Sequence, residues 1–158
     1  MRAITIKEVT RENWLEALEL RVHPEQERFA PPVVYAMARA CIQPEGDPVT
    51  PYAIYADGQM VGYFNCAYNP DTDDVYWISN FLIDRRYQRR GYGKAALTAI
   101  IALIRARFPR CRAINLTVHP ENAIARRMYE KLGFADAGWM LSGEHVLHIA
   151  FDGLESGD

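Results

Sequence analysis

The spacing of apolar residues changes repeatedly along the chain, which predicts alternating strands and helices. Strand patterns occur at Ala3–Val9, Tyr52–Tyr55, Met60–Ala67, Val75–Ile83, Ala113–Val118, Phe134–Leu141 and His145–Phe151. Helix patterns occur at Arg11–Arg21, at Val33–Ile42, at Lys94–Phe108 and from Asn122 to the glycine cap at Gly133. The resulting order, βααβββαβαββ, predicts a mixed α/β (α+β) fold: a largely antiparallel sheet of six to seven strands with about four helices.

Turn residues and breaks divide these patterns. Asp57-Gly58 and Ser142-Gly143 each separate two strands and favour tight hairpins. Val75–Ile83 is apolar on both faces, as expected of a central strand that is covered on both sides. Ser79 and Asn80 interrupt it, which predicts a bulge or a place where the main chain serves a ligand.

Composition limits the classes of function. With 158 residues, 49% of them hydrophobic, the chain fits a single domain over 1–151 and a polar tail over 152–158. Its net charge of −2 gives no field that would recruit nucleic acid or an anionic membrane. The scattered cysteines, Cys41, Cys66 and Cys111, lack metal-ligand spacing. We therefore expect no metal site. We also expect a cytoplasmic location, because no signal core or membrane-length apolar run is present.

The stretch QRRGYGK, Gln88–Lys94, stands between the central strand and a helix. Glycine lets the main chain bend and approach a ligand closely, and the first amides of a helix bind anions. Gly91, Gly93 and Ala96 also satisfy a dinucleotide-binding fingerprint, but an intervening DRRYQRR segment and the absence of a downstream acidic residue argue against it. We expect a phosphate-binding turn.

This stretch resembles the (Gln/Arg)-x-x-Gly-x-(Gly/Ala) signature of the GNAT superfamily of acetyl-CoA-dependent N-acetyltransferases. A second block, ENAIARRMYEKLGF at Glu121–Phe134, resembles the Asn-x-x-Ala-x-x-x-Tyr-x-x-x-Gly-Phe segment of the same superfamily. The resemblance covers Ile4–Phe151, because the order of elements also matches the GNAT fold.

The resemblance implies where acetyl-CoA would bind. It assigns the main chain of the glycine turn to the coenzyme pyrophosphate, the end of the central strand to the pantetheine arm, and Asn122 to the cofactor face of the last helix. It also implies that Tyr129 is the acid that protonates the departing thiolate. The cofactor-binding set is Phe81, Leu82, Ile83, Gln88, Arg89, Arg90, Gly91, Tyr92, Gly93, Lys94 and Asn122.

The base that deprotonates the amine stays open. The candidates are Asp73, Asp74, Asn115, Thr117, His119 and Glu144, or an ordered water. Among these residue types, histidine, here His119, has the intrinsic pKa that best suits a general base near neutral pH. His145 and His148 fall on opposite faces of a strand, which argues against a metal pair.

The acceptor is predicted from a finer resemblance. The segments PEQ at Pro24–Gln26 and IDRRYQ at Ile83–Gln88 look similar to the bacterial spermine/spermidine (diamine) acetyltransferase branch. A polyamine would be attracted by acidic side chains and lined by aromatic ones, for which the candidates are Glu25, Glu27, Asp73, Asp74, Trp77 and Tyr35. Ser79-Asn80 departs from that branch, which often has an Asp-Arg pair there.

Two alternatives accompany the polyamine prediction. One is an acetyltransferase for another amine, such as an antibiotic, an amino acid or a protein N-terminus. The other is a noncatalytic acyl-CoA-binding module. The apolar C-terminal hairpin could also supply the edge for a homodimer.

Overall fold

The computed structural model describes residues 3–151, and the predicted tail at 152–158 lies outside them. The strands are β1 (Ile4–Glu8), β2 (Val49–Ala56), β3 (Gln59–Tyr68), β4 (Tyr76–Ile83), β5 (Ala113–Val118), β6 (Ala135–Leu141) and β7 (Glu144–Ala150). The α-helices are α1 (Trp14–Leu18), α2 (Val33–Ile42), α3 (Tyr92–Arg107) and α4 (Ala123–Lys131). The predicted order of elements is confirmed.

The strands form one sheet in the order β1-β2-β3-β4-β5-β7-β6. Its neighbouring strands pair antiparallel except β4 and β5, which run parallel. Both predicted hairpin turns are present, with left-handed backbone at Asp57-Gly58 and at Ser142-Gly143. The largely antiparallel mixed sheet predicted from the sequence is therefore confirmed.

The helices cover the two faces of the sheet. Leu97 and Ile100 of α3 pack on one face with Ile54 of β2. On the other face, Ala17 of α1 and Ala36 of α2 form a smaller core. Helices on both faces bury the central strands, which places the end of β4 inside the protein.

Two elements differ from their predicted bounds by three residues at one end or at both, and the others differ by at most two. The helix predicted over Arg11–Arg21 spans only Trp14–Leu18, because the Arg21 amide donates to the Asp84 carboxylate (2.9 Å) instead of continuing the helix. Strand β2 begins at Val49 and includes Pro51. The Pro51 carbonyl accepts from the Val9 amide just after β1 ends, so the missing proline amide disrupts no pairing with β1.

Within residues 3–151, no helix is both long enough and apolar enough to span a bilayer.

Candidate active site

A cleft opens where β4 and β5 separate. In the described part of the chain, β4 and β5 pair at one position, Trp77 with Asn115, and beyond it the two strands diverge. Tyr63 pairs with Leu82 and Asn65 with Ser79, so one residue of β3 lies opposite two of β4, Asn80 and Phe81. The bulge predicted at Ser79-Asn80 is therefore present one residue further along, at Asn80-Phe81, and Asn80 is left-handed with φ 54°.

Buried amides support the bulge. Asn65 is 1% exposed, and its Nδ2 donates to the Ala36 carbonyl (2.9 Å) and to Asn80 Oδ1 (3.3 Å). The Tyr63 hydroxyl donates to Asn65 Oδ1 (2.6 Å). The hydrogen bonds offset the cost of burying the Asn65 amide, and one of them holds Asn80 in its left-handed conformation.

The cleft has a volume of about 1140 Å³ and runs along β4. Phe81, Leu82 and Ile83 line one wall, and the other wall is formed by 116–118 of β5, by His119 and by residues of α4. One end of the cleft lies beyond Ile83 at the glycine turn, and we call it the glycine-turn end. At the opposite end, which we call the Trp77 end, Val49, Ala67 and Trp77 lie side by side on β2, β3 and β4.

The glycine turn leads directly into α3. Gly91 is the residue before the helix and has φ 82°, and Arg89 also has a left-handed backbone (φ 61°). A Cβ on Gly91 would meet no atom within 4 Å, so the space beside this glycine is open. The amides of Gly93 and Lys94 lie in the first turn of α3, where a helix offers no carbonyl acceptor. A main chain of this kind, beside Arg89 and Lys94, suits a diphosphate.

Gln88 fixes the approach to this turn. Its Nε2 donates to the Ile83 carbonyl (2.9 Å) and to Gln26 Oε1 (2.9 Å), and Gln26 Nε2 donates to Gln88 Oε1 (3.0 Å). Gln88 therefore joins the end of β4 to the turn that contains Gln26.

The predicted cofactor residues take different positions. The cleft is lined by Phe81, Leu82, Ile83, Gln88, Arg89, Gly91, Gly93, Lys94 and Asn122, whereas Arg90 and Tyr92 lie outside its lining. The Tyr92 ring is buried against Tyr87, with ring centroids 6.2 Å apart, so only the main chain of Tyr92 can face a ligand. A Cβ on Gly93 would lie 3.1 Å from Met128 Sδ, so this glycine also permits close packing of α3 on α4.

Helix α4 presents Asn122 and Tyr129 to the cleft. Asn122 caps the helix, because its Oδ1 accepts from the Ala125 amide (3.3 Å). Tyr129 is 8% exposed, and its hydroxyl has no hydrogen-bond partner within residues 3–151. Burial, followed by the negative charge of Glu144, raises the pKa of Tyr129 to about 12. The phenol therefore stays protonated throughout the physiological pH range.

The candidate bases separate into two groups. Thr117, His119 and Glu144 line the cleft, and Thr117 Oγ1 donates to Glu144 Oε1 (2.8 Å). The His119 Nδ1 instead accepts from the Glu121 amide (3.1 Å).

The remaining candidate bases serve the structure around the cleft. Asn115 donates to the main-chain carbonyls of Asp74 (2.8 Å) and Tyr76 (3.3 Å). Asp73 pairs with Arg110 at 3.6 Å. Neither Asp73 nor Asp74 lines the cleft.

The acidic residues of the cleft differ from those expected for acceptor attraction. Glu25, Tyr35 and Trp77 line it as predicted, but Glu27 does not. Sequence patterns gave no signal for Glu45 and Asp47, which also line the cleft; Glu45 forms an ion pair with Arg39. Asp47 lies in the loop just before Val49, which places this carboxylate at the Trp77 end.

A roof over the cleft comes from the segment 22–31. Arg28 forms an ion pair with Glu121, and the Phe29 ring lies 5.0 Å from the His119 ring. The roof therefore touches the segment that leads into α4.

No candidate metal cluster occurs in the described part of the chain, and two of its three thiols are buried. No group of three or more His, Cys, Asp and Glu side chains in it could hold a metal ion. Cys66 and Cys111 are buried, and burial raises their pKa values to about 12 and about 11. These two thiols are therefore poor nucleophiles at neutral pH.

Comparison with known proteins agrees with the geometry. The sequence pattern of the acetyltransferase (GNAT) family matches residues 8–134. Spermine/spermidine N(1)-acetyltransferase of Bacillus subtilis is 30% identical over 153 residues, covering 92% of this chain and 97% of that protein.

Solved structures share the fold. A crystal structure of an aminoglycoside acetyltransferase in complex with coenzyme A has a TM-score of 0.74 at 20% identity, covering 94% of this chain and 95% of that one. A spermidine N-acetyltransferase from Vibrio cholerae, in complex with CoA and spermine, has a TM-score of 0.70 at 14% identity, covering 93% of this chain and 95% of that one. Because the family pattern spans most of the chain and the Bacillus relative is matched over nearly its full length, this protein belongs to the acetyltransferase (GNAT) family of acyltransferases.

Proposed function

We propose that this protein moves an acetyl group from acetyl-CoA to a primary amine by direct attack in a ternary complex, and that the acceptor is a small polyamine such as spermidine or spermine. The observation that carries the proposal is one continuous cleft with a basic, glycine-rich end and an acidic, aromatic end. Acetyl-CoA has an anionic diphosphate and a polyamine is a cation, so the two substrates match opposite ends.

The glycine-turn end would hold the coenzyme. The amides of Gly91, Gly93 and Lys94 would donate to its pyrophosphate, because a helix N-terminus and a left-handed turn favour anions. The main chain of Phe81–Ile83 would pair with the pantetheine arm as an added strand. Gln88 holds the two segments in register through its bond to the Ile83 carbonyl.

Charge develops on two atoms during the transfer, and each has a donor nearby. The main-chain amide of Phe81, at the bulge, would donate to the acetyl oxygen as the amine attacks. The Tyr129 hydroxyl would donate to the departing sulfur. Because the pKa of Tyr129 is about 12, the phenol stays protonated and keeps this donor available.

The Trp77 end supports a polycationic acceptor. Asp47 and Glu45 supply negative charge against one guanidinium, that of Arg39. Trp77 and Trp139 meet edge to face, with centroids 6.1 Å apart, and offer aromatic surface to methylene chains and ammonium groups. The Bacillus relative is named for spermine and spermidine, which supports the same class of acceptor.

An acceptor screen tests the proposal. Purified protein is incubated with acetyl-CoA and one amine at a time: spermidine, spermine, putrescine, an aminoglycoside, an amino acid or a peptide N-terminus. Thiol release gives the rate, and mass spectrometry identifies the acetylated product. We expect spermidine or spermine to give the highest kcat/KM.

Two outcomes would contradict the proposal in different ways. A higher kcat/KM for an aminoglycoside or a peptide would replace the acceptor and keep the acetyl transfer. Binding of acetyl-CoA without acetylation of any amine would favour a noncatalytic acyl-CoA-binding module.

A further inference from the structure

Glu144 is a carboxylate held on the β5 wall of the cleft. It begins β7, directly after the hairpin turn at Ser142-Gly143. The Thr117 hydroxyl of β5 donates to Glu144 Oε1 at 2.8 Å, and both residues line the cleft. Because the hydrogen bond joins two strands of the sheet, the orientation of the carboxylate is fixed by the fold.

The carboxylate has no cation to neutralise it in the part of the chain that the structure describes. Its Oε2 has no hydrogen-bond partner within residues 3–151, and Glu144 forms no ion pair there. Of the other acidic residues that line the cleft, Glu45 pairs with Arg39, whereas Glu25 and Asp47 also form no ion pair within residues 3–151; Glu144 differs from these two in that a hydrogen bond from Thr117 orients it. A carboxylate that faces the cleft without an ion-pair partner is available to pair with a cationic ligand.

Glu144 also lies close enough to Tyr129 to act on it. Its negative charge adds to the effect of burial in raising the pKa of the Tyr129 phenol. The centre of the cleft therefore combines a fixed anion with a neutral hydroxyl donor. An anion suits an ammonium group, and a neutral donor suits an atom that is becoming negative.

We propose that Glu144, oriented by Thr117, binds the reacting ammonium group of the acceptor and takes its first proton. This inference rests on the proposed amine acetylation and names the subsite for the reacting nitrogen. Asp47, which forms no ion pair within residues 3–151, then remains for a second ammonium at the Trp77 end. A linear polyamine fits this arrangement, because its cationic groups are separated by apolar methylenes.

The protons balance as follows. Glu144 takes one proton from the ammonium and later releases it to solvent, which leaves the nitrogen lone pair free to form the C–N bond. Because a carboxylate is a weaker base than an amine, this transfer is uphill, and attack of the freed lone pair on the thioester carbon draws it forward. The C–S bond breaks with its electron pair on sulfur, which receives a proton from Tyr129. The second proton lost by nitrogen restores the phenol through solvent, and the amide keeps the third.

Glu144→Gln tests the subsite, because it removes the charge and keeps the shape. Against the best amine of the screen, we expect kcat/KM to fall by roughly a hundredfold or more. The inhibition constant of a form of that amine in which every primary nitrogen is dimethylated, a cation that offers no primary amine for acetylation, should rise. Calorimetry should give an unchanged Kd for acetyl-CoA, which also shows that the variant is folded.

Three further variants separate the subsite from general effects. Glu19→Gln makes the same change at an exposed position outside the cleft and should leave all three values unchanged. Thr117→Val removes the orienting hydroxyl and should lower kcat/KM by less than Glu144→Gln does. Thr117→Ser keeps a hydroxyl and should restore most of the activity.

The results distinguish this inference from the proposed function. If the wild-type protein acetylates amines and Glu144→Gln keeps its kcat/KM and its inhibition constant, the subsite is wrong and the acetyl transfer stands. If the wild-type protein acetylates no amine, the proposed function is wrong and the subsite falls with it.

Discussion

A single added methyl group at Gly91 tests whether the glycine turn binds phosphate, as we propose. Gly91 has φ 82°, and a Cβ there would meet no atom within 4 Å, so Gly91→Ala introduces no clash in the free protein. Gly58, in the hairpin turn between β2 and β3, has φ 78° and an equally open surrounding. A left-handed backbone costs an L-residue about 1–2 kcal/mol. Gly58→Ala is therefore a matched control for backbone strain, and it lies outside the cleft lining.

Both variants should be destabilised to a similar extent, and only Gly91→Ala should bind acetyl-CoA more weakly. We expect the free energy of unfolding to fall by about 1–2 kcal/mol in each. In Gly91→Ala the methyl group would also stand where the pyrophosphate approaches, and strain would turn the neighbouring amides. Loss of one hydrogen bond to a charged group, about 1.5–3 kcal/mol, would weaken acetyl-CoA binding by roughly 10- to 150-fold.

Urea denaturation gives the unfolding free energies, and isothermal titration calorimetry gives the Kd for acetyl-CoA. Gly58→Ala should bind acetyl-CoA as the wild-type protein does. The reasoning is refuted if Gly91→Ala is folded, is destabilised like Gly58→Ala and yet has the wild-type Kd.

Two more substitutions separate catalysis from folding. Tyr129→Phe keeps the ring that packs edge to face on Phe134, with 6.0 Å between the ring centroids, so the free energy of unfolding should change little. Loss of the hydroxyl should lower kcat roughly tenfold or more, which thiol-release kinetics would measure. An unchanged kcat would remove Tyr129 from the mechanism. For Asp84, burial raises the pKa of the carboxyl, but hydrogen bonds from the Arg86 side chain and from the Arg21 and Arg86 amides lower it below its usual value. A lowered folded-state pKa gives stability that is present above about pH 4 and lost as the pH falls through the folded-state value. Asp84→Asn should therefore be less stable than wild type in urea at neutral pH, with a gap that narrows in acid; a gap independent of pH would contradict the ionic role of Asp84.

Local patterns were sufficient to predict much of the fold and the glycine turn. Asp57-Gly58 specifies a hairpin because both residues accept a left-handed backbone, as they do here. Ser79-Asn80 stood out because polar residues interrupt an apolar strand, and the bulge lies one residue further along, at Asn80-Phe81. Such features depend on neighbours in the sequence, so a single chain is enough to find them.

Contacts between distant segments were beyond these patterns. Gln26 and Gln88 exchange hydrogen bonds although they are 62 residues apart, and nothing local to either glutamine indicates the other. Glu45 and Asp47 precede β2, and they reach the cleft because β2 pairs with β3, which in turn pairs with β4. Helix α1 ends early because the Arg21 amide binds Asp84, which also lies far away in the sequence.

The most direct test of the central claim is a crystal structure of the protein with acetyl-CoA. The account predicts pyrophosphate oxygens within hydrogen-bond distance of the amides of Gly91–Lys94, pantetheine along Phe81–Ile83, and the thioester between the Phe81 amide and the Tyr129 hydroxyl. Acetyl-CoA bound elsewhere, with the glycine turn free of phosphate, would contradict it.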